Sequence, residues 1–152
     1  MDEIVARSLA KWPNVPAVFG WLSLDRRGGW RIKDERIGNA ALREFIGRNY
    51  AGDERGRWYF QNGPQRVYAR LAYTPLVVRY EGDALLDQCG RPFRAETVFA
   101  DDEGSVVIAG EGTVALLDDR DLARFADSAE SLPRIVAAEV PARYGFEPNP
   151  SP

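Results

Sequence analysis

The strongest constraint on this chain is a succession of short alternating segments separated by turn residues. Apolar and polar side chains alternate along residues 30–33, 57–62 and 66–71, and clusters of Gly, Asp, Asn and Pro separate such runs. Alternation with a period of two is typical of β-strands, and neighbouring runs joined by tight turns form hairpins. Because the strands follow one another instead of alternating with helices, the sequence predicts an α+β fold. We expect a mainly antiparallel β-sheet of about eight strands in hairpins, with two or three helices.

Helical spacing is confined to three segments, residues 2–11, 38–50 and 119–129. Asp2, Asn39 and Asp118 stand where N-caps are expected. The length of 152 residues is typical of one domain, so we predict a single α+β domain over residues 1–138. The remaining 139–152 carry four prolines, and we expect an extended tail that is partly disordered after Tyr144.

Three turns share an Asp-x-x-Gly pattern, which begins at Asp25, Asp53 and Asp101. An Asp side chain can accept hydrogen bonds from its own downstream backbone, and Gly can adopt the positive φ that such turns need. The spacings of 28 and 48 residues disagree. We therefore interpret the pattern as convergent turn chemistry and not as a repeated fold.

The hairpin predicted over residues 53–71 separates two kinds of side chain by alternation. One face carries Trp58, Phe60, Val67 and Leu71 and is expected to lie inside. The opposite face holds the ligand-binding candidates, which are Arg57, Tyr59, Gln61, Arg66, Tyr68 and Arg70. Arginine can stack on a tyrosine ring while its guanidinium edge binds a carboxylate or a phosphate. We call these six residues the Arg/Tyr face.

Charge is distributed unevenly, and this leaves two interpretations of the Arg/Tyr face open. Residues 1–80 have a net charge of +6 and residues 81–152 a net charge of −9. The face can therefore bind an external anion, or it can be solvated or covered by the acidic half of the chain. Nucleic acid is an unlikely partner because the isoelectric point is about 5.1 and no aromatic RNA-binding motif is present.

Histidine is absent and Cys89 is the only cysteine. These two facts exclude His-dependent nucleophile systems and leave too few ligands for structural zinc or iron–sulfur sites. Two acidic clusters, 101–103 and 118–121, are explained as a turn and a helix cap, so we expect no metal and no cofactor. Cys89 is interpreted as a structural loop thiol, although the neighbouring Arg91 could lower its pKa and make it reactive.

The chain contains no apolar run of about 18 residues, the length that a membrane helix needs, and no secretory signal at its first residues. A single cysteine suits a reducing compartment. The sequence therefore predicts a cytoplasmic protein without a membrane partner.

Three strings, WPNVPAVFGWLSLDRRGGWRI, FIGRNYAGDERGRWYFQNGPQRVYARLAYTPLVVR and DRDLARF, resemble a family of small uncharacterised proteobacterial proteins. The resemblance spans residues 12–126. It implies a bacterial cytoplasmic protein of one domain and brings no assigned activity and no functional residues.

The leading hypothesis is a non-enzymatic domain that binds an anionic small molecule or a protein partner across the Arg/Tyr face. One alternative is a histidine-free enzyme with a carboxylate base, Glu96 or Asp87, and an arginine that clamps an anion; no catalytic residue is assigned. The other alternative is a homo-oligomer with a structural role in assembly, in which two copies meet through the same hairpin.

Overall fold

Two six-stranded sheets organise the chain. The computed structural model describes all residues, 1–152, and they divide into two compact units. The first unit comprises Met1–Asp25, Gly29–Ala72 and Phe146–Pro152, and the second comprises Arg26–Gly28 and Tyr73–Gly145.

The first unit contains two helices and one mixed sheet. Its elements are α1 (Glu3–Lys11), β1 (Val18–Leu24), β2 (Trp30–Ile32), β3 (Glu35–Arg36), α2 (Ala40–Arg48), β4 (Tyr50–Gly52), β5 (Trp58–Asn62) and β6 (Gln65–Leu71). The strand order is β3-β2-β1-β6-β5-β4, and the central pair, β1 and β6, is parallel. Asn39 caps α2 as expected, because its side chain accepts a hydrogen bond from the Leu42 amide.

Aromatic side chains fill the core of the first unit. Trp30 contacts Tyr50 edge to face at 4.8 Å between ring centroids, and Phe45 contacts Phe60 at 5.5 Å. The hydrophobic rings thus lie where the alternation places them. Trp12 and Trp21 lie outside this core and are about half exposed.

The second unit contains the other sheet, followed by short helical segments. Its elements are β7 (Leu76–Glu81), β8 (Ala84–Asp87), β9 (Thr97–Asp101), β10 (Val106–Gly110), β11 (Thr113–Leu117), three 3₁₀ segments (Asp119–Phe125, Ala129–Ser131 and Ala137–Glu139), β12 (Arg134–Ile135) and α3 (Val140–Tyr144). The order is β12-β9-β10-β11-β7-β8. All five residues of β10 are buried, as expected of a central strand that is covered on both faces.

The two sheets share an arrangement of five strands, β2-β1-β6-β5-β4 in one and β8-β7-β11-β10-β9 in the other. In each, the first strand in chain order lies parallel to the last strand of these five, β1 beside β6 and β7 beside β11. An antiparallel meander leads into the last strand, β4-β5-β6 in one sheet and β9-β10-β11 in the other. The offset between equivalent strands of the two meanders is the 48-residue spacing from Asp53 to Asp101. That spacing therefore reflects a repeated arrangement of strands, which our interpretation of the turns had rejected.

The α+β class is confirmed, but the numbers of strands and sheets need correction. Twelve strands form two sheets instead of about eight strands in one. Most neighbouring strands are antiparallel, as predicted, but each sheet also contains parallel neighbours. Several strands have only two or three residues, too few for alternation to be visible.

The segment expected to be an extended tail includes the helix α3, and the predicted final helix is a 3₁₀ segment. No helix combines the length and the apolarity needed to cross a membrane.

Candidate functional site

The Arg/Tyr face lies on the hairpin of β5 and β6, whose register agrees with the predicted separation of side chains. Tyr59 pairs with Tyr68, and Gln61 pairs with Arg66 across the two strands. Residues in opposed positions share one face of a sheet. The hairpin thus brings these four residues together, and Arg57 joins them from the start of β5.

The hydroxyl of Tyr68 is the centre of a hydrogen-bond network. It accepts a hydrogen bond from Arg57 Nη2 at 3.0 Å and another from Arg66 Nη1 at 3.3 Å. It donates its own proton to Asp53 Oδ2 at 2.9 Å. Arg57 Nε also donates to that carboxylate oxygen, at 2.9 Å. One phenol therefore links two guanidinium groups and one carboxylate in a fixed geometry.

The rings of this face stack on one another and are covered. Phe19 from β1 lies parallel to Tyr68 at 4.7 Å between centroids. The Arg66 guanidinium lies 3.9 Å from the Tyr59 ring centroid, and that of Arg57 lies 4.5 Å from the Tyr68 ring centroid. Tyr59 and Tyr68 are both buried. The tyrosines are thus enclosed by aromatic and guanidinium groups of the same unit.

The three arginines of the face differ in whether they form an ion pair with a carboxylate of the protein. Arg57 forms an ion pair with Asp53, and Arg70 forms one with Asp34 at 3.0 Å. Arg70 is therefore apart from the tyrosine network. Arg66 has no carboxylate partner, and its only hydrogen bond is the one to Tyr68. A guanidinium has five N–H donors, so Arg66 retains donors for another group.

Gln61 is buried beside Arg66 with its amide only half satisfied. Its Nε2 donates to the Gly63 carbonyl at 3.1 Å, while its Oε1 has no hydrogen-bond partner. Only 1% of Gln61 is exposed. Burying a carbonyl oxygen without a hydrogen bond costs free energy of folding. Gln61 Oε1 is the one buried polar side-chain atom of the Arg/Tyr face without a partner.

The surroundings shift the pKa values of Asp53 and Arg66. Burial acts against the Asp53 carboxylate, but hydrogen bonds from the Arg57 amide, the Tyr68 hydroxyl and the Arg57 side chain outweigh it and lower the pKa of Asp53. Burial likewise opposes the charge of Arg66, yet the hydrogen bond to Tyr68 and the neighbouring Asp53 keep its pKa raised. Both groups are therefore held in their charged forms.

Sequence reasoning missed two members of this cluster. Phe19 was placed in a strand by alternation, but nothing local indicates that β1 lies next to β6. Asp53 was interpreted as a turn residue only. Its Oδ1 does accept the amides of Arg55 and Arg57 in that role, while its Oδ2 joins the tyrosine network.

The remaining candidates have structural roles. Burial raises the pKa of the Cys89 thiol to about 12, and the nearby Asp87 adds to the effect, so Arg91 does not make the thiol reactive. Asp87, one of the two carboxylates considered as a base, accepts the amides of Cys89 and Arg91 inside its own turn.

The carboxylates of the acidic cluster 118–121 bind hydrogen-bond donors and a guanidinium of the protein itself. Asp118 caps a 3₁₀ segment, Asp119 pairs with Arg27, and Asp121 accepts the Tyr80 amide. The structure contains no group of three acidic or cysteine side chains placed to hold a metal ion.

Comparison with known proteins places the chain in a family. Residues 1–151 match the family model DUF2944, described as "Protein of unknown function (DUF2946)". The chain belongs to this family. Its description assigns no activity, so function in DUF2944 has to be argued from the site. No curated protein matches the chain.

Two solved structures are similar. One is a DUF1285 family protein from Silicibacter pomeroyi, with 18% identity, a TM-score of 0.55 and coverage of 84% of each chain. The other is a DUF1285 family protein from Shewanella baltica, with 13% identity and a TM-score of 0.48 over 70% of this chain and 90% of that one. The similarity to the Silicibacter pomeroyi protein shows that this DUF2944 chain shares its fold. At 18% identity it gives no information about a ligand.

Proposed function

We propose that this protein is a non-enzymatic binding domain that captures an anionic group of a small molecule or of a protein partner at Arg66. The observation that carries the proposal is the guanidinium of Arg66, which lies on the Tyr59 ring and has no carboxylate partner. Arg57 and Arg70 are already paired with Asp53 and Asp34. Of the three arginines that the sequence suggested as anion-binding residues, the proposal therefore keeps only Arg66.

The surroundings of Arg66 favour a planar anion such as a carboxylate. Stacking on Tyr59 and the hydrogen bond to Tyr68 fix the plane of the guanidinium, so less entropy is lost when a second partner binds its free edge. A fixed guanidinium can offer two parallel N–H donors to a carboxylate or a phosphate. Half-burial of Arg66 strengthens this charge-assisted interaction, because water competes less there.

A binding role also fits the distribution of carboxylates better than an enzymatic one. Asp53 is engaged by Arg57 and Tyr68, and Asp87 by amides of its own turn. Neither is free to act as a general base. Glu96, the other carboxylate considered as a base, belongs to the second unit and not to the Arg/Tyr face. The residues of the face are therefore better suited to hold an anion than to transform it.

Titration of the protein with citrate and with a glutamate-rich peptide, followed by NMR, tests this function. We expect saturable shifts of the Arg66 Nε–H resonance and of the Tyr59 ring protons. Substitution Arg66→Gln should weaken binding by about tenfold or more, the usual loss of one charge-assisted hydrogen-bond pair. Arg66→Lys should restore little, because an ammonium cannot reproduce the stacked planar fork.

The matched control is Arg36→Gln, which removes an exposed arginine from β3 of the same sheet. It should leave the affinity unchanged. Equal affinity of the wild type and of Arg66→Gln for both probes would overturn the proposal, and so would equal losses in the two glutamine variants.

A further inference from the structure

Two adjoining cavities of the second unit differ in character. One has a volume of about 240 Å³ and the other about 400 Å³, and both are lined by Asp101 and Arg134. The smaller cavity is mainly apolar, with Leu122, Phe125, Ala126, Ala129 and Leu132 on its wall. The larger one is bordered by Arg134, Arg143 and Glu139 as well as Ile135 and Val136. Arg134 therefore stands between an apolar space and a charged one.

The apolar cavity is open at the surface, and short helical segments form its wall. One of them is the 3₁₀ segment Asp119–Phe125, which has seven residues, none of them buried. Runs of 3₁₀ helix longer than about four residues are uncommon. Leu122 and Phe125 are only half-buried and line the cavity, so an apolar body placed there would bury more of both side chains.

The charged cavity holds two arginines without an ion pair. Arg134 is exposed on the edge strand β12 and makes no side-chain hydrogen bond or ion pair. Arg143 contacts the Phe99 ring, with its guanidinium 5.0 Å from the ring centroid, and pairs with no carboxylate. Both guanidiniums therefore have N–H donors available to a ligand.

The carboxylates around this cavity are mostly engaged. Asp101 accepts hydrogen bonds from the Tyr73 hydroxyl and from the amides of Glu103 and Ser105. Asp102 accepts one from the Ala137 amide at 2.7 Å. Glu139 is the one carboxylate on the wall without such a partner. The wall thus carries three carboxylates and two guanidiniums. Of these five groups, Arg134, Arg143 and Glu139 have no hydrogen-bond partner within the protein and are the ones left to bind a ligand.

We propose that these cavities form a binding site for a small amphipathic carboxylate, with its apolar chain against Leu122 and Phe125 and its carboxylate on Arg134. The site is separate from the Arg/Tyr face and does not depend on the function proposed there. Burial of the chain supplies the hydrophobic gain, and the unpaired Arg134 fixes the orientation. Arg143, which lines the same charged cavity, offers a second guanidinium to the head group.

Calorimetric titration of the full-length protein with octanoate tests the site, with octylammonium and octanol as probes of the same chain length. We expect saturable binding of octanoate, and binding of the other two that is weaker by at least about tenfold, because Arg134 favours a negative head group. Arg134→Gln should reduce octanoate affinity by a similar factor. Glu139→Gln should raise it, because the carboxylate that has no partner within the protein, and so competes for the two arginines, is removed.

Two further variants test whether octanoate binding depends on these cavities. Arg94→Gln removes an exposed arginine of the same unit that lines neither cavity, and it should leave octanoate binding unchanged. Ala129→Leu fills the apolar cavity and should block octanoate while the thermal midpoint stays within a few degrees of the wild type. Absence of octanoate binding, equal binding of octylammonium, or an unaffected Arg134→Gln variant would each overturn the proposal.

Discussion

At the scale of single residues, Asp53 shows how one carboxylate can serve a turn and a binding face together. Oδ1 accepts two backbone amides of its turn, and Oδ2 accepts Arg57 and the Tyr68 hydroxyl. Only 2% of the Asp53 side chain and 14% of that of Arg57 are exposed, compared with 79% for Asp34 and 52% for Arg70. The two ion pairs have similar lengths, so burial decides which of them matters for stability.

We predict that Asp53→Asn lowers the free energy of unfolding by about 3 kcal/mol at neutral pH, because it leaves the largely buried Arg57 side chain without its counter-charge. Asparagine can still accept the backbone amides, so the loss reports the removal of the charge together with the Oδ2 acceptor of Arg57 and Tyr68. Asp34→Asn, the matched control on the exposed pair, should change stability by less than about 0.5 kcal/mol. Urea unfolding of both variants measures the difference, and equal costs would contradict the argument.

The same pair sets a pH dependence. The folded-state pKa of Asp53 is lowered, so its contribution is complete above the unfolded-state pKa of about 4 and is lost as the pH falls through the folded-state pKa. The gap between the wild type and Asp53→Asn should therefore narrow below about pH 4. A gap that stays constant into that range would mean that the carboxylate charge is not its source.

At the scale of elements, one turn design occurs four times. Asp25, Asp53, Asp87 and Asp101 each donate their amide to the carbonyl four residues ahead, and each side chain accepts an amide in return. The glycine three residues after each Asp has φ between 78° and 83°. Three hairpins, and the turn that follows β8, therefore depend on the same pairing of an Asx hydrogen bond with a left-handed glycine.

The cost of that glycine can be measured without interference from packing. A Cβ at Gly104 or at Gly38 would meet no atom within 4 Å, but only Gly104 has a positive φ, of 83°. Gly104→Ala should therefore destabilise the protein by about 1 kcal/mol through backbone strain, and Gly38→Ala should be close to neutral. Thermal unfolding compares them, and an equal effect would place the cost elsewhere than in φ.

Local chemistry explains which elements could be predicted. The hairpin of β5 and β6, the Asn39 cap and three of the four turns depend on residues within a few positions of one another, so the sequence displays them. The parallel pairing of β1 with β6 joins segments more than 40 residues apart, and no local pattern specifies it. The same pairing brings Phe19 onto Tyr68, which is why the Arg/Tyr face was predicted as a set of residues but not as an enclosed cluster.

At the scale of the whole molecule, the first unit is assembled from both ends of the chain. Residues 146–152 belong to it together with residues 1–25 and 29–72. The Leu71 amide donates to the Pro148 carbonyl at 2.8 Å, and the Glu147 amide donates to the Gly56 carbonyl at 2.8 Å. Arg57 Nη1 also donates to the Ser151 carbonyl. The final residues thus support the hairpin that carries the Arg/Tyr face, although their proline content predicted a loose tail.

Phe146 is the apolar anchor of that final segment, since only 6% of it is exposed. We predict that Phe146→Ala lowers the free energy of unfolding by about 3 kcal/mol, the usual loss for a buried phenylalanine. In the same variant the Leu71 amide should exchange with solvent faster, because its acceptor at Pro148 is no longer held in place. Asn149→Ala alters an exposed neighbour and should change neither measurement. Hydrogen exchange at Leu71 that is equally slow in both variants would show that the end of β6 stays ordered without the C-terminal segment. The Arg/Tyr face would then depend on the strands β1, β5 and β6 alone.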